Sequence, residues 1–164
     1  MTPEDLGPAE HLEAGAVGEP GQRTFFVHVR AGGVEHWYHA EKQQVGEFAD
    51  RAIALLLEAA IIPDPNVVSE ILARLGDAEP SDFAFRVGTI TLRATEAREL
   101  VHLEIESGDE ELAVAFQVAP EQLQAMATHA ESVVAAGREL CALCRLPMEP
   151  SGHRCPSTNG YHVD

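Results

Sequence analysis

The sequence predicts an α+β domain: two βββα units whose strands form one antiparallel sheet with helices packed on it. Two observations carry this. Short stretches of alternating or apolar character are punctuated by Gly and Pro, and two long segments carry apolar residues at spacings of three and four. A third is that the order of these pieces occurs twice.

Residues 11–18, HLEAGAVG, alternate small or apolar with polar positions, GEPGQR supplies a turn, and TFFVHVRA is a second strand. Gly32 and Gly33 reverse the chain into a third strand, VEHWYHA. Val45, Phe48, Ala49, Ala52, Ile53, Leu56 and Ala60 then form one stripe, so QQVGEFADRAIALLLEAA is an amphipathic helix. The linker IIPDPN leads to a short helix, VVSEILARL, ended by Gly76. The order then recurs: FAFRVGTITLR, ELVHLEIES and, after GDE, ELAVAFQV are strands. Pro120 suits a first helical turn, and Leu123, Met126, Ala127, Ala130, Val133 and Val134 make the second stripe.

The halves superpose without a gap from the second strand onward, Phe25 on Leu103, Val27 on Ile105, Tyr38 on Phe116, Gln44 on Gln122, Ala49 on Ala127 and Ala52 on Ala130. The expected organisation is a duplicated α+β domain over 1–138, with repeats at about 11–60 and 83–137 joined by a linker and short helix at 61–82. A small tail follows at 139–164. A chain of 164 residues, 45% hydrophobic and 23% charged, is large enough to bury one core.

Charge narrows the partners. Eleven Lys and Arg stand against 27 Asp and Glu, a net charge of −16, with Lys42 the only lysine. A binder of nucleic acid or of an anionic membrane needs a basic surface, so neither is expected, whereas a protein partner, a cation or a small-molecule ligand is compatible. The N-terminus shows no basic then apolar leader, and no apolar run approaches the roughly 18 residues of a membrane span. The expected location is cytoplasmic, where thiols stay reduced and a Cys-x-x-Cys serves a metal or redox role more often than a structural disulfide.

All three cysteines fall in CALCRLPMEPSGHRC, residues 141–155. Cys141 and Cys144 can present two thiolates to one ion, LPMEPSG reverses the chain, and His153 and Cys155, two apart in an extended segment, face the same side. Cys141, Cys144, His153 and Cys155 are therefore the expected ligands of a tetrahedral Cys3His zinc site, closed and structural, holding together a hairpin too small for a core. His162 is the competing fourth ligand, but its return costs chain entropy. A redox dithiol would sit at a helix N-terminus, where its pKa falls, and this pair follows a helix C-terminus.

The stretches AGAVGEPGQRTFFVHVR, EKQQVGEFADRAIALL, FRVGTITL and VVAAGRELCALCRLPMEPSGHRCPSTNGY resemble the DUF3090 family, a bacterial family of unknown function known best from actinobacteria. The resemblance covers nearly the whole chain. It implies a repeat domain closed by a Cys-x-x-Cys and Gly-His-x-Cys-Pro tail, which supports His153 and Cys155 as ligands and supplies no activity. Ala142 stands where the family usually has proline and Arg145 where it has glycine, so the knuckle turn is less ideal.

Other stretches invite chemistry but have simpler readings. GEPGQR has two glycines and Arg23 but no Lys-Ser/Thr, and it joins two strands, so it reads as a hairpin turn before a phosphate loop. AEKQQ puts Lys42 at a helix entry, where an anion could bind and where helix-entry chemistry suffices. His28, His36 and His39 share a hairpin, and a His28–His36 pairing could hold a metal or a proton. ESGDEE, at 106–111, reads as a solvated turn. No nucleophile-base motif is present. The sequence therefore points to a non-enzymatic zinc-stabilised binding or adaptor domain. The alternatives are a small-molecule binder or enzyme with a pocket between the repeats near Arg23 and Lys42, and a zinc-thiolate redox switch at Cys141 and Cys144.

Overall fold

The computed structural model describes residues 2–19 and 21–136. Along the chain lie β1 (Glu4–Val17), β2 (Thr24–Ala31), β3 (Val34–Ala40), α1 (Lys42–Glu58), α2 (Pro65–Leu72), β4 (Phe83–Ala94), β5 (Val101–Ser107), β6 (Ala113–Val118) and α3 (Pro120–Ala136). The α+β class and the element order match the sequence reading. The ligand set Cys141, Cys144, His153 and Cys155, with His162, lies outside the described residues.

The sheet departs from the expected antiparallel one. Its six strands close into a barrel in sequence order, because β3 pairs with β4 and β6 with β1, both in parallel. Closure uses the front of β1, seven residues longer than the sequence pattern suggested: the pattern began at His11, and the strand begins at Glu4, whose segment Glu4–Pro8 pairs with Val114–Gln117. Prolines and glycines mask the alternation there, but an end strand accepts them, and closing the barrel leaves no free edge.

Local chemistry explains the remaining elements. Gly32 and Gly33 have φ of +58° and +76°, the two-residue turn that matches strand twist in a tight hairpin. Asp64 caps α2 by accepting from the Asn66 N–H at 2.9 Å, with Pro65 in the first turn. The interior is filled by Leu12, Val27, Tyr38, Phe85, Leu103 and Phe116, among others. Ala49 and Ala52 of α1 and Ala127 and Ala130 of α3 are all fully buried, and the two helices pack on each other.

The pairing pattern recurs at a displacement of 78 residues, the interval from Gln44 to Gln122. Tyr38 pairs with Phe85 and Phe116 with Gly7; the register breaks between Ala9 and His11 in β1 and between Val87 and Thr89 in β4. The gapless superposition needs one correction. Leu12 pairs with Val29 and Ile90 with Ile105, so Val29, not Val27, corresponds to Ile105, and Val27 corresponds to Leu103. The second half has a shorter turn before β5 and a longer one after it, and the two differences cancel by the next strand.

Candidate functional site: a histidine-carboxylate row beneath a strap

Directly paired residues share a face of the sheet, and Glu13, His28, Trp37 and Phe83 are paired in turn across β1, β2, β3 and β4. This row faces away from the barrel interior, yet Glu13 is 2% exposed, His28 6%, Trp37 7% and neighbouring Phe26 1%. Gly76 sits at one end of the row, where its N–H donates to Glu13 Oε2 at 3.3 Å, and Phe83 is the other end, so the connection from α2, residues 76–82, runs as a strap from one end of the row to the other.

Glu13 is the hub. His11 Nε2 lies 3.3 Å from its Oε1, and His129 Nε2, reaching over from α3, 3.7 Å from its Oε2. Burial pushes its carboxyl pKa up, but the His11 hydrogen bond, the His129 charge and the Gly76 N–H outweigh burial and hold it below the usual carboxylate range. Glu13 thus stays ionised and ties β1, α3 and the strap together.

His28 stacks on Trp37 with ring centroids 3.7 Å apart and an interplanar angle of 6°. Its Nε2 meets the Glu35 carboxylate, while its Nδ1 is buried without a partner. Burial pushes its pKa down, and Glu35 offsets only part of that, so the ring is held neutral. The His11 ring lies 5.0 Å from it. Beyond the row, Arg30 bridges Glu10 at 3.5 Å and Glu35 at 3.8 Å. Among the described residues no group of three His, Cys, Asp or Glu side chains is placed to hold a metal ion.

The proposed His28–His36 pairing does not form. His36 pairs with Val29 and shares its face, opposite to that of His28, and His39 packs edge-on against Phe83. The sequence reading passed over Glu13 and His129. The signal for the first was present, since His11 and Glu13 sit two apart in a strand and so share a face; His129 was not legible, because it comes from a helix 116 positions away in the chain.

Arg23 has a structural role in place of an anion site. Its Nη1 donates to the Val133 carbonyl at 2.9 Å, in the last turn of α3, and its guanidinium lies 5.1 Å over the Phe25 ring. A groove between the halves lies elsewhere, between α1 and β4. It encloses about 250 Å³ and is lined by Gln44, Glu47, Arg51, Gly88 and Thr89. Gln44 and Arg51 already donate to the carbonyls of Val87 and Ile90. At the 106–111 turn the Ser107 hydroxyl organises the backbone, accepting from the N–H groups of Asp109 and Glu110.

No described helix is long and apolar enough to cross a membrane. A family model described as "Protein of unknown function (DUF3090)" matches residues 5–155. No curated protein and no solved structure matches the chain.

Proposed function

The chain belongs to the DUF3090 family, and from that premise we propose that it is a non-enzymatic binding domain, a duplicated βββα barrel that presents a zinc-held tail to a protein partner. The observation that carries this reading is the bond from Arg23 to the Val133 carbonyl. It joins the GEPGQR turn to the end of α3, the helix from which the cysteine tail departs. The turn is thus held to the last described turn of α3, where the stretch that leads to the cysteines begins. The recurrence of pairings and register breaks supports descent of the halves from one βββα unit.

In this reading Cys141, Cys144, His153 and Cys155 hold a structural zinc in a closed Cys3His set. The chain's net charge of −16 suits a partner with a basic surface. A small-molecule function is less well supported by the α1–β4 groove, because its two long polar arms are spent on strand carbonyls.

Metal analysis by mass spectrometry tests the proposal, on untagged full chain purified reduced and without chelator. One equivalent of zinc, lost in His153→Ala and kept in His162→Ala, is the expected result. Metal-free protein would sink the zinc-held tail and leave the thiols to redox chemistry, read then as a disulfide between Cys141 and Cys144 after mild peroxide.

A further inference from the structure

Gln44, Glu47, Arg51, Ala54, Leu55 and Glu58 fall at spacings of three and four, so they share one face of α1. That face looks along β4. Gln44 donates to the Val87 carbonyl at 2.9 Å, Arg51 to the Ile90 carbonyl at 2.6 Å, and Leu55 lies with Leu92 in one depression, so helix and strand run side by side in the same direction. The groove of about 250 Å³ thus continues past Arg51 into a second depression of about 230 Å³, lined by Ala54, Leu55, Glu58 and Leu92. From Gln44 to Glu58 it is about 20 Å long.

The other half shows what such a groove takes. At the interval that separates Gln44 from Gln122, Glu47 matches Ala125 and Arg51 matches His129, and there backbone enters between helix and strand: Gly76 donates its N–H to Glu13 of β1 beside His129 of α3. Ala125 is fully buried, and Glu47 is exposed. Between α1 and β4 the gap is one side chain wide, because Gln44 and Arg51 reach across it. That is too narrow for a helix of about 10 Å diameter and suits a single extended chain. Charge selects the chain further. Glu47 and Glu58, both exposed, stand on the α1 rim about 16 Å apart, a span that an extended chain covers in about five residues. Leu55 and Leu92 make the lining between them apolar. Arg51 is tied to the Ile90 carbonyl, and Arg93, next along β4, pairs with His102 and so lies on the face opposite to Leu92.

We propose that the α1–β4 groove docks an extended segment of a protein partner, with a basic side chain toward each end for Glu47 and Glu58 and an aliphatic one between them for the depression at Leu55 and Leu92. The length of the groove sets the spacing of the two charges, and the depression selects the side chain between them. The proposal deepens the reading of the chain as a binding domain for a basic partner and rests on that reading, but it requires no metal.

A phage-displayed library of random peptides of about ten residues, selected against the full chain, tests the groove. Enriched sequences should carry a pair of Lys or Arg residues about five positions apart, with Leu, Ile or Val between them. The same peptides made synthetically should bind at least about tenfold more weakly to Glu47→Arg, to Glu58→Arg and to Ala54→Trp, which fills the depression. They should bind the control Glu70→Arg, an equal change of charge on an exposed position of α2, as they bind the unaltered chain. Enriched peptides without the basic-aliphatic-basic pattern, or peptides indifferent to the groove variants, overturn the proposal. A dimer in sedimentation equilibrium that Ala54→Trp dissolves would give the groove to a second copy and overturn it as well. Zinc content of the same protein separates this from the metal reading. Peptides that metal-free protein binds and the groove variants lose leave the groove standing and remove the zinc; bound zinc with peptides indifferent to the groove removes the groove and leaves the zinc.

Discussion

Gln44 and Gln122 make the same two hydrogen bonds in opposite halves of the molecule. Gln44 Oε1 accepts from the Glu41 N–H at 2.8 Å and its Nε2 donates to the Val87 carbonyl at 2.9 Å; Gln122 Oε1 accepts from the Ala119 N–H at 2.7 Å and its Nε2 donates to the Ala9 carbonyl at 2.9 Å. Each glutamine therefore caps its own helix and grips the first strand of the other unit, at the register break in that strand. The halves are locked to each other by a reciprocal pair.

Either Gln→Ala substitution leaves a strand carbonyl and a helix-entry N–H without their partner, at an expected cost of about 1–3 kcal/mol. The two sites share no partner, so the double variant should equal the sum of the single ones to within about 0.5 kcal/mol. Urea denaturation of the four proteins measures both. A double variant no worse than one single would show that the two grips act as one.

Gly88→Ala should be more damaging than either. A Cβ at Gly88 would meet the Gly108 backbone at 2.7 and 2.8 Å, and backbone cannot swing aside as a side chain can. The Gly108 N–H is itself bonded to the Arg86 carbonyl at 3.0 Å. Separating the β4 and β5 backbones here should cost at least about 2 kcal/mol, seen as a lower urea midpoint, and an unchanged midpoint would refute the close approach.

The limits of the sequence reading have physical causes. Strand and helix identities were legible because alternation and the three-four stripe report which side of an element is apolar. The slip of β5 was not legible: a shift of two residues returns every side chain to the same face, so Val27 and Val29 fit the Ile105 position equally well. Barrel closure was hidden because it depends on Glu4–Pro8 meeting β6, a parallel contact with no local signature. The strapped row escaped for a related reason. Glu13 is one charge in an acidic chain until His129 and Gly76 are brought to it.

Glu13 gives a pH-dependent prediction with a defined sign. Its pKa is lower in the folded chain than its ordinary value of 4.5, so the folded state prefers it ionised. That contribution is complete above pH 4.5 and is lost as pH falls through the folded value below it. Glu13→Gln should destabilise the protein near neutrality and flatten the stability-pH curve below 4.5. Thermal midpoints of both proteins between pH 3 and 7 decide this; parallel curves would show that the carboxylate does not tie the strap.

Arg23→Ala should loosen the end of α3 more than the barrel. It removes a charge-assisted bond to Val133 and the packing over Phe25, with an expected global loss of about 1–2 kcal/mol. Hydrogen exchange should accelerate in peptides covering 130–136 and remain unchanged in β4 and β5. Uniform acceleration would mean that Arg23 serves the whole fold and has no special hold on the tail's point of departure.

Trp37 is the only tryptophan, and its stacking on His28 makes it a reporter of that ring's charge. His28 is held neutral by burial against the partial opposition of Glu35, with His11 beside it and Glu13 paired opposite. Its pKa in the folded chain lies below 6.5, so the stability it contributes as a neutral ring is complete above pH 6.5 and declines as pH falls from there toward the folded value. Protonation would place a cation on the indole and quench its emission, so the fall in Trp37 fluorescence should be centred below pH 6.5. His28→Gln should abolish the step, and His11→Gln should shift it upward, because the electrostatic contribution of His11 that lowers the His28 pKa is removed. A step centred above 6.5, or one that survives His28→Gln, would place the titrating group elsewhere and show that burial does not hold this ring neutral.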